Sequence, residues 1–348
     1  MRFPSLRNVG VQAAFASALL FAAGTPIAKL LLDSVSPWLL AGLLYLGSGV
    51  GLLIYRVIRR APRGRLKRAD VAPLLGATFF GGIVGPVLLM AGLASMPASG
   101  ASLLLNAEGV FTAALAWFVF RENFDRRIAL GMLAIVAGAV VLSWPGEVRF
   151  SAVLPSLAII GACLAWAIDN NLTRRIALTD ATWLAATKGL VAGPVNLVLA
   201  FSLGATLPPL VYVGAAMLVG LLTYGVSLVL FIVALRHLGT ARAGAYFSVA
   251  PFLGAALAVV LGDPLTVSLL VGGALMAVGV VLHLLERHEH EHTHDQITHD
   301  HWHVHDEHHR HDQDEAVAPG LGHGHRHTHE AITHTHEHYP DAHHRHPH

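Results

Sequence analysis

The sequence predicts an all-α integral membrane protein, in which ten transmembrane helices form two inverted five-helix repeats ahead of a disordered histidine-rich tail. Three observations support this fold class: ten long apolar stretches, a similarity between the two halves of the apolar part, and a concentration of histidine after residue 286. Charged residues make up 13% of the 348 residues, whereas a soluble domain carries about 25%. The composition therefore excludes an ordinary soluble domain.

Each apolar stretch has the length of a membrane-spanning helix, which needs about 20 residues to cross the hydrocarbon core. The predicted spans are Val11–Leu32, Ser36–Tyr55, Asp70–Ala94, Ser99–Phe120, Ile128–Trp144, Val153–Ile176, Ala181–Leu203, Pro209–Leu235, Ala241–Leu261 and Thr266–Leu285. Sixteen basic residues fall in connections on one side of the predicted membrane and two on the other. Because basic loops stay in the cytoplasm, we expect a multi-pass protein of the cytoplasmic (inner) membrane with both termini cytoplasmic.

The first span could be mistaken for a secretory signal, because Arg2 and Arg7 precede an apolar run. That run is too long for a signal peptide and nine more spans follow, so a retained helix is predicted. The chain therefore divides into a cytoplasmic N-terminus (1–10), a first repeat (11–145), a second repeat (151–285) and a cytoplasmic tail (286–348).

The two halves of the apolar part match at nearly constant offsets. Trp38 aligns with Trp183 at an offset of 145 residues. Further matches, at offsets of 145 and 141 residues, are Pro26–Lys29 with Asn171–Arg174, Gly131 with Gly272, and Gly138 with Gly279. Because each half holds five spans, the second half enters the membrane from the opposite side, as in the inverted repeats of secondary transporters. Chance similarity between apolar helices is the alternative.

In both halves the fourth span, the short acidic turn after it and the Gly-spaced fifth span carry a family resemblance. The first copy reads Glu108-Gly109-Val110-Phe111 and later Arg121-Glu122, and the second reads Ala250-Pro251-Phe252 and later Gly262-Asp263. This pattern resembles the EamA-type transporters of the drug/metabolite transporter superfamily. The resemblance implies a ten-helix export fold working by alternating access, and it implies no particular substrate. The first copy has Glu108 where the second has Pro251, and the histidine tail lies outside the family pattern.

Glu108 is the deepest ionisable residue of the predicted spans, roughly 13 Å below the outer surface by the helical rise. Gly85 and Pro86 in the third span are expected at the same depth, where the proline frees a backbone carbonyl one turn earlier. An interrupted helix opposite a buried carboxylate is a common way to build a transport site. We therefore predict that Glu108 binds a proton or a cation; a neutral packing glutamate is the alternative.

Asp169 and Lys188 lie at equal distances from the centre of the connection between the sixth and seventh spans, so they are expected to form a buried ion pair. A structural pair and a gating or substrate role both remain open. The residues predicted to complete the polar pathway are Asn106, Asn170, Asn171, Asn196, Tyr224, Gly225, Ser227 and Pro251.

The tail holds 22 of the 24 histidines, and most of them alternate with other residues. The predicted metal ligands are His288, His290, His292, His294, His299, His301, His303, His305, His323, His325, His327, His329, His334, His336 and His338. Neutral imidazoles bind divalent transition metals, so the tail is expected to bind Ni, Co or Zn. With few apolar residues it cannot bury a core, and we expect it to be disordered without metal.

Two functions fit these features. The first is export of a divalent metal cation, nickel or cobalt, with the tail collecting metal; because the span cores hold no histidine, such a site would use oxygen ligands. The second is export of an amino acid or similar metabolite, for which Glu108 with Lys188 would suit a zwitterion, and the tail would then regulate transport or store metal. A membrane-anchored metal sensor is less consistent with a ten-span duplication, because one span is enough for anchoring.

The sequence contains no phosphate loop, nucleophile triad or haem motif, so we expect a protein that is not an enzyme and needs no cofactor for transport. Its single cysteine, Cys163, excludes a disulfide or thiolate metal site within one chain. The expected partners are the lipid bilayer and a small-molecule or metal-ion substrate. No nucleic-acid partner is predicted, and a homodimer is left open.

Overall fold

The computed structural model describes residues 9–61, 66–120, 126–143, 150–176, 179–234 and 246–284, and the tail segments 289–294, 297–303, 323–329 and 332–337. The chain forms two compact units, Met1–Glu286 and Arg287–His348. The first unit is built of apolar helices, because a backbone without water must satisfy its hydrogen bonds within each segment.

The helices of the first unit follow most of the predicted spans. The predicted fourth span is broken by a turn at 105–106, and the predicted ninth span, whose first residues 241–245 lie outside the described residues, has a turn at 248–249. In chain order the helices are α1 (Val9–Leu31), α2 (Pro37–Ile58), α3 (Arg68–Ala94), α4 (Ala98–Leu104), α5 (Ala107–Phe120), α6 (Arg126–Ser143), α7 (Phe150–Arg175), α8 (Ala181–Ser202), α9 (Leu210–Ala234), α10 (Ala250–Val260) and α11 (Val267–Leu284). Within the described residues, six helices are long and apolar enough to cross a membrane alone, namely α1, α2, α3, α7, α8 and α9. An all-helical, multi-pass membrane body is therefore confirmed, and the count of ten crossings stays a prediction.

Two kinds of interruption recur in both halves. Helix α3 contains the π-helical turn Thr78–Val84 and α9 contains the π-helical turn Leu221–Val226, which begin 143 residues apart. A turn at 105–106 separates α4 from α5, and a turn at 248–249 precedes α10, again 143 residues apart. Because both features repeat at one offset, the structure aligns the two halves without using sequence similarity.

Helices of one repeat pack against helices of the other. Helix α2 packs along α8, α1 packs against α10, α5 against α7, and α6 against α11. At the α2–α8 contact, glycines allow the backbones to touch: a Cβ added at Gly189 would lie 2.6 Å from the Cα of Gly49, and one at Gly193 would lie 2.6 Å from the backbone nitrogen of Leu46. Small residues permit this close approach where lipid supplies no hydrophobic drive between helices.

Four tail segments form antiparallel strand pairs. Strand β1 (Glu289–His294) pairs with β4 (Ile332–Glu337), and β2 (Ile297–His303) pairs with β3 (His323–His329). The prediction of a tail without regular structure is wrong for these segments. Histidine alternating with threonine and acidic residues has the two-residue period of a strand, and paired strands satisfy each other's backbone groups.

The strand register groups the predicted metal-binding histidines. The Cα atoms of His290 and His292 face those of His336 and His334, and the second pair of strands places three more histidine positions opposite histidines: His299 with His327, His301 with His325, and His303 with His323. His294 and His329 also lie on these strands. His288, His305 and His338 fall outside the described residues.

We expect Gly189→Ala to lower the free energy of unfolding by about 1–3 kcal/mol, because the new methyl group would overlap the backbone of α2. Gly214→Ala is the matched control, since nothing lies within 4 Å of its added Cβ, and it should leave stability unchanged or raise it by about 1 kcal/mol. Unfolding of the detergent-solubilised protein measures both. Equal stability of the two variants would show that α2 and α8 are not in backbone contact.

Candidate functional site

The π-helical turn of α3 lies just before Gly85 and Pro86, near the middle of the helix. Proline has no backbone N–H, so the carbonyl four residues earlier, that of Gly82, loses its helical donor. The side-chain amide nitrogen of Asn196 donates to this carbonyl over 2.9 Å. The carbonyl of the preceding residue, Gly81, also accepts hydrogen bonds from other helices.

Three helices supply donors to this turn of α3. The Gly81 carbonyl accepts from the Tyr45 hydroxyl of α2 at 2.5 Å and from the Trp166 indole nitrogen of α7 at 3.0 Å. Asn196, which donates to Gly82, comes from α8 and is fully buried. Its side-chain oxygen has no hydrogen-bond partner among the described residues. Polar groups from both repeats therefore meet at the interruption of α3.

The second π-helical turn contains Tyr224 and connects to the same centre. The ring of Tyr224 packs on that of Tyr45, with centroids 5.3 Å apart, and on that of Phe21 at 6.3 Å. Phe21 in turn contacts Trp166, with ring centroids 6.4 Å apart. Aromatic side chains thus join the π-helical turns of α3 and α9.

Glu108 lies in the first turn of α5, immediately after the break between α4 and α5. Its carboxylate accepts a hydrogen bond of 2.6 Å from the Asn170 side chain of α7, and the residue is half-buried. The partial positive charge at a helix N-terminus stabilises an acidic side chain there. Asn106, in the break itself, donates to the carbonyl of Leu103 over 2.9 Å.

Asp169 and Lys188 form a buried ion pair between α7 and α8. The Lys188 ammonium donates to both carboxylate oxygens of Asp169, each at 2.6 Å, and the Thr173 hydroxyl donates to one of them at 2.8 Å. Lys188 is thus held by Asp169, and joint binding of a zwitterion by Glu108 and Lys188 stays a prediction. The Asp169 carboxylate also packs against Gly81.

The remaining predicted pathway residues are distributed over several contacts. Asn171 donates to the carbonyl of Ala167 in its own helix at 2.9 Å, which is a local bond. The Trp166 indole covers Gly85, and a Cβ there would lie 2.7 Å from the indole nitrogen. Ser227 bonds to Ser17 of α1. Pro251 lines a narrow crevice together with Phe21, Ala22, Thr25, Ser102, Leu105, Ala250 and Gly254.

Sequence reasoning missed Tyr45 and Trp166, the donors to Gly81. An aromatic residue within an apolar span has the same pattern as a packing residue, so neither carried a signal of its own. Pro86 was the available signal, because a proline in mid-span requires replacement donors for the carbonyls before it.

Polar contacts also connect helix ends. Lys29 donates to the terminal carbonyls of α3, those of Leu93 at 2.8 Å and Ala94 at 3.2 Å. Before α8, Asp180 pairs with Arg56 at 2.8 Å. Partial burial acts to raise the pKa of the Asp180 carboxyl. Hydrogen bonds from the Thr182 hydroxyl, the Trp183 backbone N–H and Arg56 outweigh this effect, so the pKa is lowered.

The sequence profile of the EamA-like transporter family matches residues 8–144 and, a second time, residues 154–285. The chain belongs to this family. The two matched ranges coincide with the two halves that the π-helical turns and helix breaks align. A transporter fold in a lipid bilayer is therefore the setting of the Glu108 region, and membership of a transporter family agrees with a protein that is not an enzyme.

Three other proteins resemble this EamA-like transporter. A protein of Methanothermobacter thermautotrophicus named "Uncharacterized transporter" is 28% identical over 285 residues, covering 76% of this chain and 82% of that protein. A "Probable amino-acid metabolite efflux pump" of Salmonella typhimurium is 36% identical over 85 residues, covering 23% of this chain and 27% of the pump. A solved crystal structure matches with a TM-score of 0.62 at 18% identity, covering 79% of this chain and 96% of that one, and shows the same fold.

We expect Asp169→Asn or Lys188→Met alone to lower the free energy of unfolding by about 3–5 kcal/mol, because each leaves one buried charge unpaired. The double variant should be more stable than either single variant, since it buries no unpaired charge. Asp180→Asn should cost less than either single variant, because the Asp180 side chain is 36% exposed, asparagine can still accept from the Trp183 N–H, and Arg56 keeps Thr182 as a partner. Thermal unfolding in detergent measures all four. Additive losses in the double variant would contradict this coupling.

Proposed function

We propose that this EamA-like transporter exports a small amine-bearing metabolite across the cytoplasmic membrane, with Glu108 as the group that binds the amine. The observation that carries the proposal is the Glu108 carboxylate itself: half-buried, placed at the start of α5 after a helix break, and hydrogen-bonded to Asn170. A carboxylate in this setting attracts a cationic group, and an interrupted helix is a common element of transport sites.

The carboxylate also offers a means of coupling export to protons. Glu108 can hold an ammonium group only while it is ionised, so a proton and a substrate amine compete for the same oxygen atoms. Asn170 donates to one carboxylate oxygen and can orient the group in either state. If each proton that enters replaces an amine that leaves, the proton gradient would then drive export of the amine. The name of the Salmonella relative, "Probable amino-acid metabolite efflux pump", agrees with this substrate class.

The basic loops favour cytoplasmic termini, and the tail would then lie in the cytoplasm. A second function, binding of nickel, cobalt or zinc by the tail, is favoured by the register that places five histidine positions opposite histidines.

A metal ion as the cargo has less support. Among the residues whose side chains the structure describes, no group of three His, Cys, Asp or Glu is close enough to hold a metal ion. We therefore assign the tail to metal storage or regulation.

Glu108→Gln should abolish proton-driven amine transport while leaving the fold intact, because glutamine keeps the size and a hydrogen bond to Asn170 but loses the charge. Asp33→Asn, an exposed carboxylate in the turn between α1 and α2, is the control and should transport normally. The measurement is uptake of radiolabelled L-amino acids and amines into proteoliposomes under an imposed pH gradient. Transport by Glu108→Gln at the wild-type rate would overturn the proposed role.

A chain ending at Arg287 should lose binding of Ni²⁺, Co²⁺ and Zn²⁺ but keep amine transport, because the tail carries 22 of the 24 histidines. Isothermal titration calorimetry of the purified full-length and shortened proteins measures the metal, and the proteoliposome assay measures transport. Loss of amine transport on shortening would place an essential element in the tail. Unchanged metal affinity would contradict the assignment of the tail.

A further inference from the structure

The histidine positions of the tail strands share one face of each strand pair. Successive residues of a strand alternate between its two faces, so residues two apart lie on the same face. In β1 every second residue from His290 to His294 is a histidine, and in β2 the same holds from His299 to His303. Because the antiparallel register sets histidine opposite histidine, each strand pair carries a histidine face that extends across both strands.

The acidic residues of these strands lie on the opposite face. In the first strand pair the Cα of Glu289 faces that of Glu337, and Glu291 lies on the same face as both. In the second strand pair Asp300 faces Arg326. Each of these residues is one position away from a histidine, so the pleat places the acidic and the histidine positions on different faces. A metal ion on the histidine face would therefore take nitrogen ligands, and no carboxylate from these four strands.

Two adjacent facing pairs bring four histidine positions close together. Facing residues of an antiparallel pair have Cβ atoms about 4.5–5.5 Å apart, and residues two apart on one strand are separated by about 6.8 Å. A histidine side chain extends several ångström beyond its Cβ, so four imidazoles in this arrangement can converge on one ion. The first strand pair has one such set, His290, His292, His334 and His336. The second has three consecutive facing pairs, and its central pair, His301 with His325, belongs to either possible set.

We propose that each strand pair of the tail binds one divalent transition-metal ion between two adjacent facing pairs of histidines. Four neutral imidazoles complete the tetrahedral shell of Zn²⁺, and imidazole also suits Ni²⁺ and Co²⁺. Mg²⁺ and Ca²⁺ prefer oxygen ligands, so the histidine face selects against them. This inference rests on the proposed function, since it takes the tail as the metal-binding segment, and it adds the ligand sets and the selectivity.

An ion held between two strands would also stabilise their pairing. A two-stranded sheet is marginally stable at best in water, and joining distant strands costs loop-closure entropy. Residues 304–322 separate β2 from β3, and residues 295–331 separate β1 from β4. Because the ion binds the paired strands better than separate ones, metal binding and strand pairing are coupled. The backbone amides of the strands should therefore exchange hydrogen more slowly with bound Zn²⁺ than after chelation.

The first test removes one facing pair at a time from the full-length protein, and isothermal titration calorimetry measures Zn²⁺ binding. Wild type should bind at least two Zn²⁺ ions tightly, one for each strand pair. His292→Ala with His334→Ala should remove one ion or weaken it more than about 100-fold, the upper effect of losing a group that only supports a ligand. His301→Ala with His325→Ala should do the same to the other ion.

The matched control removes two strand histidines without removing a facing pair. His294 and His329 have Ile332 and Ile297 as their Cα partners, so they belong to neither set of four. In the variant His294→Ala with His329→Ala, the number of tightly bound ions should therefore stay at the wild-type value. The loss of imidazoles is equal in the control and in each test variant, so the comparison separates register from histidine number.

A further variant keeps the number of histidines and changes only the face on which one of them lies. His292→Thr with Thr293→His exchanges two neighbours in β1, and it should weaken the ion of the first strand pair at least about tenfold. Glu291→Gln changes the acidic face and should leave the Zn²⁺ affinity at the wild-type value. Excess Mg²⁺ should not displace Zn²⁺ from the full-length protein.

The outcomes separate this inference from the proposed function. If the full-length protein binds Zn²⁺, Ni²⁺ and Co²⁺ no better than the chain ending at Arg287, the assignment of the tail fails, and the ligand sets fail with it. If the tail binds metal but the facing-pair variants and the control lose equal numbers of ions, only the inference fails, because histidine number then decides binding. Displacement by Mg²⁺, weaker Zn²⁺ binding in Glu291→Gln, or amide exchange that is indifferent to Zn²⁺ would also overturn it.

Discussion

The requirement that every backbone carbonyl in lipid find a hydrogen-bond donor shapes the centre of this transporter. Helix α3 is interrupted near its middle by a π-helical turn, and the carbonyls of Gly81 and Gly82 in that turn accept hydrogen bonds from other helices. Tyr45, Trp166 and Asn196 donate to them from three other helices. The polar centre of this apolar protein is therefore formed mainly by side chains that donate to backbone carbonyls, and the charged residues lie around it.

Duplication explains why so many features occur in pairs and why their differences matter. The π-helical turns and the broken fourth helices repeat at one offset, so both halves inherit the same backbone irregularities. The side chains at those irregularities then diverged. Glu108 and Pro251 occupy equivalent positions, but only Glu108 can carry a charge, which gives a symmetric scaffold a chemically asymmetric interior.

Much of this architecture could be read from the sequence, because span length and apolar composition follow directly from membrane thickness. Counting residues outward from the connection between the sixth and seventh spans predicted that Asp169 and Lys188 lie at the same depth, and they form an ion pair. Pro86 indicated that the Gly82 carbonyl lacks its donor within the helix, and Asn196 donates to it. The π-helical turn of α9 contains no proline and gave no sequence signal. The donors to Gly81 depend on how distant helices pack, and local patterns carry no information on that. The tail strands were missed because composition, rather than two-residue periodicity, guided the expectation.

The Gly81 carbonyl accepts from one donor in each repeat, Tyr45 of α2 and Trp166 of α7. The loss of either donor would therefore leave the oxygen atom with one hydrogen bond from the other repeat. No single substitution at Tyr45 or Trp166 removes both donors from this carbonyl, so neither leaves it without a partner in a low-dielectric interior, where an unpaired polar group costs several kcal/mol.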